Sequence, residues 1–189
     1  MPPRRLYHVA LGANLPSSYG TPEKTLRYAV EHLREYKCHM VALSRFFTTP
    51  AFPAGNGPDY VNAAAAIEGP PEPAAMMGVL HGIEAHLGRA RSQRWGQRVI
   101  DLDLLTAGDD VHPDAETHAA WRALPLAAQM TQTPGDLILP HPRLQDRAFV
   151  LVPLAEVAPD WRHPILGKTV QEMRDALPAS DLEAVTPLP

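Results

Sequence analysis

The chain has 189 residues, 45% of them apolar and 20% charged, enough for one packed domain with a hydrated surface and too apolar for a disordered tail. Its 17 basic and 21 acidic residues leave a net charge of −4, which argues against an extended nucleic-acid surface. No apolar run approaches the roughly 20 residues of a membrane-spanning helix. The basic start Met1-Pro2-Pro3-Arg4-Arg5 leads into an apolar stretch too short and His-interrupted for a signal peptide. Cys38 is the sole cysteine, which fits a reducing compartment. A cytoplasmic protein is expected.

A first strand is expected from Leu6 to Leu11, ending at Gly12-Ala13-Asn14. A helix follows, with Thr21 as cap, Pro22 at the first helical position, and Leu26, Ala29, Val30 and Leu33 in one stripe. His39 to Phe47 predicts one strand. Thr48 to Pro58, with three prolines and two glycines, predicts a loop, and Asp59 to Ile67 a further strand. A second helix follows Pro70 to Pro73, burying Met76, Val79, Leu80, Ile83 and Leu87, with Gly88 at its C-terminal cap. Val99 to Leu105 is the most strand-like window. The long polar stretch from Ala107 to Leu137 is expected to hold a short helix around Ala119 to Met130. Apolar density returns at Phe149 to Leu154, and Thr169-Val170-Gln171-Glu172 is a capping box for a last helix. This order predicts a single α+β domain over 1–189: a ferredoxin-like antiparallel sheet with helices packed on one face, plus extra C-terminal elements.

The sharpest chemical feature is Asp101-Leu102-Asp103. Residues two apart in a strand share a face, so both carboxylates project together while Leu102 and Leu104 point away. Side by side they repel unless a cation sits between them. Mg²⁺ meets that need and commonly shares its shell with phosphates. A bare D-x-D also describes a solvated edge strand. Here, however, it follows Arg89-Ala90-Arg91-Ser92-Gln93-Arg94-Trp95-Gly96-Gln97-Arg98, with four arginines in ten residues. Arginines beside metal-binding carboxylates are what a polyphosphate requires. The glycine-rich phosphate loop and the kinase signatures are absent, so side chains and metal must hold any nucleotide. Tyr60 and Asn62 share one strand face and suit a flat heterocycle with donors and acceptors on its rim. They equally describe a core-edge tyrosine and a turn asparagine. His141 stands between two prolines, as a placed ligand or a plain surface histidine.

These residues together resemble the hydroxymethyldihydropterin pyrophosphokinase family. The resemblance runs from about Tyr7 to Leu177. It is carried by Leu11-Gly12-Ala13-Asn14-Leu15, Thr49-Pro50, Pro58-Asp59-Tyr60-Val61-Asn62-Ala63, Ile83-Glu84 and Leu87-Gly88-Arg89-Ala90-Arg91. Above all it rests on Arg94-Trp95-Gly96 with Arg98 and Asp101-Leu102-Asp103-Leu104-Leu105, followed by Pro140-His141-Pro142-Arg143 and Arg147-Ala148-Phe149-Val150-Leu151. It implies transfer of diphosphate from ATP to the hydroxymethyl group of a reduced pterin, releasing AMP, in folate biosynthesis. By that likeness Asp101 and Asp103 bind two Mg²⁺, and Arg89, Arg91, Arg98 and His141 contact the phosphates. Arg147, Leu104 and Glu84 lie by the nucleotide. Arg89, Arg98, Asp101 and Asp103 are the implied catalytic residues. The pterin is implied between Tyr60 and Phe149, read by Asn62, Thr49 and Phe52, with Trp95 brought in on a loop that closes over both substrates.

Gln97 and Val99 replace the proline and threonine of the family pattern, and Ala51 follows Pro50 where a second proline is usual. His81 occupies a helical site that holds glutamine in some members, and the 107–137 connection is long for the family. Two other classes fit parts of the chain. One is another metal-dependent nucleotide transferase, against which Tyr60, Asn62 and the Thr49-Pro50 loop speak. The other is a non-catalytic ferredoxin-like module such as an RNA-recognition domain, which would need a basic sheet with aromatic strands. Small-molecule substrates, with neither nucleic acid nor membrane, are the expected partners.

Overall fold

The computed structural model describes residues 4–51, 55, 57–88 and 99–189. Strand β1 (Arg5–Ala13) buries Tyr7, Val9, Leu11 and Ala13 on one face, and His8 on the other. Helix α1 (Pro22–His32) begins as expected, with the Thr21 side chain accepting from the Lys24 N–H and proline in its first turn. After it come β2 (His39–Leu43), β3 (Phe47–Thr49) and β4 (Tyr60–Gly69). Helix α2 (Pro73–His86) is followed by Gly88 at φ +90°, a left-handed position that glycine occupies without strain. Strand β5 (Asp101–Ala107) completes the main sheet. The remainder is α3 (Ala115–Ala123), α4 (Leu126–Thr131), α5 (Ala148–Val157), α6 (Val170–Asp175), α7 (Ala179–Glu183) and a two-residue β6 (Thr186–Pro187). The capping box at Thr169 and Glu172 forms in full.

The strands are antiparallel in the order β5-β1-β4-β3-β6, with β2 also paired to β4. Helices α1 and α2 place Leu26, Ala29, Met76, Leu80 and Ile83 against Val9, Leu11, Ala65, Leu102 and Leu104 on one face of the sheet. The opposite face is covered too. There Val150, Leu151 and Leu154 of α5, with Val170 and Met173 of α6, pack on Ala64 and Leu105. Helices on one face therefore describes only the two crossover helices: the apolar C-terminal elements close the other side, which would otherwise expose a second apolar surface.

Three expected elements differ. The strand His39 to Phe47 is two strands, because the Ser44 side chain intervenes: Ala64 N–H donates to Ser44 Oγ (2.9 Å), and Ser44 Oγ donates to Arg45 O (2.7 Å). The loop begins after Thr49 rather than at Thr48, since Thr48 and Thr49 pair with Val61 and Tyr60 of β4. The helix around 119–130 is two helices. Leu124 precedes Pro125 and sits at ψ 134°, as steric conflict with the proline ring requires.

Edge-to-face and tilted rings link the 107–137 insertion to the sheet. His8 and Trp161 have centroids 6.0 Å apart, Trp161 and His163 5.8 Å, and His163 and His118 5.6 Å. The Trp161 indole N–H donates to Gly108 O (3.0 Å), and His8 Nδ1 bonds the Thr106 hydroxyl (2.8 Å). Burial pushes the pKa of His8 and of His163 down to about 4, with His118 and Arg122 lowering His163 further. The unfolded chain protonates these imidazoles near pH 6.5, well before the folded chain does. Their contribution is thus complete above pH 6.5 and is lost as the pH falls toward 4. At about 1.4 kcal/mol per pKa unit, each is worth on the order of 3 kcal/mol across that window. A denaturant midpoint followed from pH 7.5 to 5 is expected to fall steadily, and to fall less steeply in a His8→Gln, His163→Gln variant. A parallel slope in the variant would show that these imidazoles do not set the acid response.

Candidate active site

The site grows from the register of three strands. Phe47 pairs with Asn62, Asn62 with Gly12, and Gly12 with Asp101, so one row crosses the sheet from β3 to β5. In the next rows Thr49 pairs with Tyr60 and Ala10 with Asp103. Strand alternation therefore puts Thr49, Tyr60, Asn62, Asp101 and Asp103 on the same face, the one that α5 covers farther along. Asn62 and Asp101 are two strand spacings apart, roughly 10 Å. Between them stands Gly12, without a side chain. A Cβ there would lie 3.1 Å from Asn62 Oδ1, tighter than ordinary contact, so glycine keeps the floor of this trough open.

Each end of the row has its own support. Asn62 is 5% exposed and donates its amide N–H to Thr49 Oγ1 (2.7 Å). That bond fixes the amide plane and leaves the threonine hydroxyl its own proton to donate. At the other end Leu102 and Leu104 are buried in the first core while Asp101 and Asp103 are half-buried. Glu84 of α2, 3% exposed, accepts the Leu102 N–H at Oε1 (2.7 Å). It lies behind the carboxylate pair and holds the backbone between the two aspartates. The register between β1 and β5 shifts by one residue between His8 and Val9. Leu105, the unpaired residue at this bulge, keeps the alternation of Asp101 and Asp103 and enters the second core just beyond them.

The turn after the insertion brings the remaining groups. His141 N–H donates to Leu105 O (2.8 Å), tying the turn to the end of β5. Arg143 N–H donates to His141 Nδ1 (3.1 Å), so the neutral ring carries its proton on Nε2. Desolvation chiefly, then the positive charges of Arg147 and Arg143, hold His141 below the usual histidine range, with Asp101 acting in the opposite sense. The ring is therefore a neutral N–H donor near pH 7. Arg143 donates to Asp146 Oδ2 and Leu124 O (both 2.9 Å) and so braces the turn. The Arg147 guanidinium carbon lies 5.7 Å from the centre of the Phe149 ring, which is 40% exposed in the first turn of α5.

A cavity of about 570 Å³ unites Asp103, Leu104, His141 and Arg147, four of the residues that sequence marks for the nucleotide. Tyr60, Asn62 and Thr49 lie along the trough from it. Arg89, Arg91, Trp95, Arg98 and Phe52 lie outside the described residues. Sequence reasoning missed the roles of Gly12, of Arg143 as a brace, and of Trp121, Ile138 and Met77 in the cavity wall. Gly12 stood in a quoted motif, whereas nothing in its sequence context singled out Trp121.

Among the described residues no set of three or more His, Cys, Asp or Glu converges on one point. Mg²⁺ takes one or two carboxylates and fills its octahedron with water and substrate phosphate. A two-carboxylate pair, one of whose members lines a cavity, fits that ion and not one that demands a full protein shell.

An antiparallel α+β sheet that sets two aspartates on one face, one of them lining a cavity large enough for a nucleoside, has the parts that metal-assisted group transfer uses. The 7,8-dihydro-6-hydroxymethylpterin-pyrophosphokinase (HPPK) family matches residues 8–159, and the chain belongs to it. The protein named 2-amino-4-hydroxy-6-hydroxymethyldihydropteridine pyrophosphokinase from Methylorubrum extorquens is 36% identical over 179 residues, covering 94% of this chain and 97% of that one. Its namesake in Haemophilus influenzae is 31% identical, covering 89% and 92%. The crystal structure of wild-type Plasmodium falciparum HPPK-DHPS with pteroate shares the fold, with a TM-score of 0.64 at 13% identity. That match covers 93% of this chain, which spans 42% of the longer one.

Proposed function

We infer that the chain is an ATP-dependent pyrophosphokinase that transfers diphosphate from ATP to the hydroxymethyl group of 6-hydroxymethyl-7,8-dihydropterin in folate biosynthesis. Family membership and near full-length relatives of that name support the activity. The observation that carries it to this site is the meeting of Asp103, Leu104, His141 and Arg147 in one cavity, at the end of a trough leading to Asn62 and Tyr60.

The hydroxyl oxygen forms a bond to the β-phosphorus of ATP while the bond from that phosphorus to the oxygen kept by AMP breaks, and the hydroxyl proton is released to solvent. The trough suits this in-line exchange. A pterin at the Tyr60 end directs its hydroxymethyl group over Gly12 toward Asp101, across roughly 10 Å of sheet. Asp101 and Asp103 would hold the cations, which we read as two Mg²⁺. When bound, these neutralise phosphate charge and orient the displacement. His141 donates its Nε2–H to a phosphate oxygen, and Arg147 lies by the nucleotide. Arg89, Arg91 and Arg98 complete the phosphate contacts, and Glu84 by the nucleotide ties β5 to α2. Tyr60 and Phe149 flank the pterin, Thr49, Asn62 and Phe52 read its rim, and Trp95 covers it.

We read the sheet as ferredoxin-like, on the strand order β5-β1-β4 with β2 and β3 outside β4, and the chain as one domain, since both cores share that sheet. The net charge of −4 supports small-molecule partners without nucleic acid. No described helix is long and apolar enough to cross a membrane. The single cysteine, buried Cys38, fits the cytoplasm.

The pterin assignment is tested by calorimetry. Tyr60→Ala and Phe149→Ala are expected to weaken pterin binding by about 1–3 kcal/mol each, as loss of aromatic stacking does elsewhere. The affinity for an ATP analogue should change much less. Unchanged pterin affinity in both variants would remove the aromatic pair from the site.

A further inference from the structure

The cavity beside Asp103 is walled in part by the long 107–137 segment, for which the activity as such gives no role. We propose that this segment forms the nucleoside wall of the ATP site and that Trp121 is its stacking surface for the adenine base. The inference rests on the nucleotide lying in this cavity. At about 570 Å³ the space is of the size that takes a small organic ligand.

Its lining is of two kinds. His141 and Arg147 are hydrogen-bonding or cationic groups suited to phosphates and Asp103 suits their cation, while Met77, Leu104 and Ile138 are apolar. A purine needs a flat partner as well as an apolar one, because much of its binding energy comes from its π-face. Among the described lining residues the aromatic side chains are His81, Trp121 and His141. His141 belongs to the phosphate turn, and the indole of Trp121 offers the largest face.

Helix α3, which carries Trp121, is fastened to that same turn. Buried His118 donates its Nε2–H to Pro140 O (2.8 Å), and the Arg143 guanidinium donates to Leu124 O at the end of α3 (2.9 Å). Before α3, the backbones of His112 and Leu139 exchange two hydrogen bonds (2.8 and 3.1 Å). The base-facing helix and the phosphate-facing turn are thus one braced unit. A nucleotide that engages His141 and Arg147 meets Trp121 at a preset position, so little ordering remains to oppose binding.

The test compares two probes, a non-hydrolysable ATP analogue and inorganic tripolyphosphate, which has the phosphates but no base. Binding of each, with Mg²⁺ present, is measured by calorimetry for wild type, Trp121→Ala, Trp121→Phe and Arg147→Ala. Trp121→Ala is expected to weaken the analogue roughly five- to hundred-fold, to leave tripolyphosphate and pterin affinities as in wild type, and to be largely rescued by Trp121→Phe. Arg147→Ala is expected to weaken both phosphate probes. If Arg147→Ala weakens both while Trp121→Ala alters neither, the wall is overturned and the nucleotide site stands. Equal loss of both probes in Trp121→Ala would make the residue structural and overturn the proposal. If no variant changes analogue binding, the nucleotide lies elsewhere and both readings fall together.

Discussion

Asp101→Ala and Asp103→Ala each reduce turnover by at least on the order of a thousand-fold, with the fold intact. The magnitude follows from the several kcal/mol that a correctly held cation supplies to a phosphoryl-type transfer, at about 1.4 kcal/mol per decade of rate. The fold survives because the burial of β5 is carried by Leu102, Leu104 and Leu105, which belong to the two cores, while both aspartates are half-buried on the trough face. Register with β1 is held by the backbone, and the Glu84 carboxylate ties Leu102 to α2. Steady-state rates across a Mg²⁺ titration, with a thermal melt of each variant, check this. Wild-type turnover in either variant at ordinary Mg²⁺ would remove the metal assignment from this pair.

Arg98→Ala is expected to lower the rate by roughly a hundred- to a thousand-fold, or about 2.7–4 kcal/mol, the usual worth of one preorganised donor facing developing charge. Arg98 lies outside the described residues, and chain length supplies the argument. It stands three positions before Asp101, a span of at most about 11 Å, so its guanidinium is within reach of any phosphate that the aspartates hold through metal. An exposed arginine with no such task would change the rate little. Trp95 offers an independent signal, since its fluorescence is expected to respond when ATP analogue and pterin are both bound. Trp121→Phe and Trp161→Phe backgrounds separate its signal from the other two indoles. A near-normal rate in Arg98→Ala together with a silent Trp95 would return this segment to a solvated surface.

Much of the site was legible because strand periodicity is exact. Residues two apart share a face whatever the rest of the chain does, so the pairs Asp101 with Asp103 and Tyr60 with Asn62 were readable before any fold was known. The helix starts were readable for the same local reason: Thr21 before Pro22, and Thr169 with Glu172, satisfy backbone donors within one turn. Local signals failed where a distant partner decided the outcome. Thr48 and Thr49 are strand because β4 pairs with them, and Ser44 breaks its strand through a bond to Ala64, twenty residues away.

By itself, then, the sequence determined the helix starts and the faces of the strands, which depend on neighbours within a few positions, and the family to which the ordered motifs point. Only the tertiary structure decided that α5 and α6 cover the second face of the sheet, since that depends on which apolar surfaces are left over after α1 and α2 have packed. It alone showed Gly12 as the open floor between Asn62 and Asp101, because register joins three strands that are far apart in the chain. The cavity is decided in the same way: Met77, Leu104, Trp121 and His141 come from four separate segments. Their convergence reflects the packing free energy of the whole chain, which no local pattern encodes.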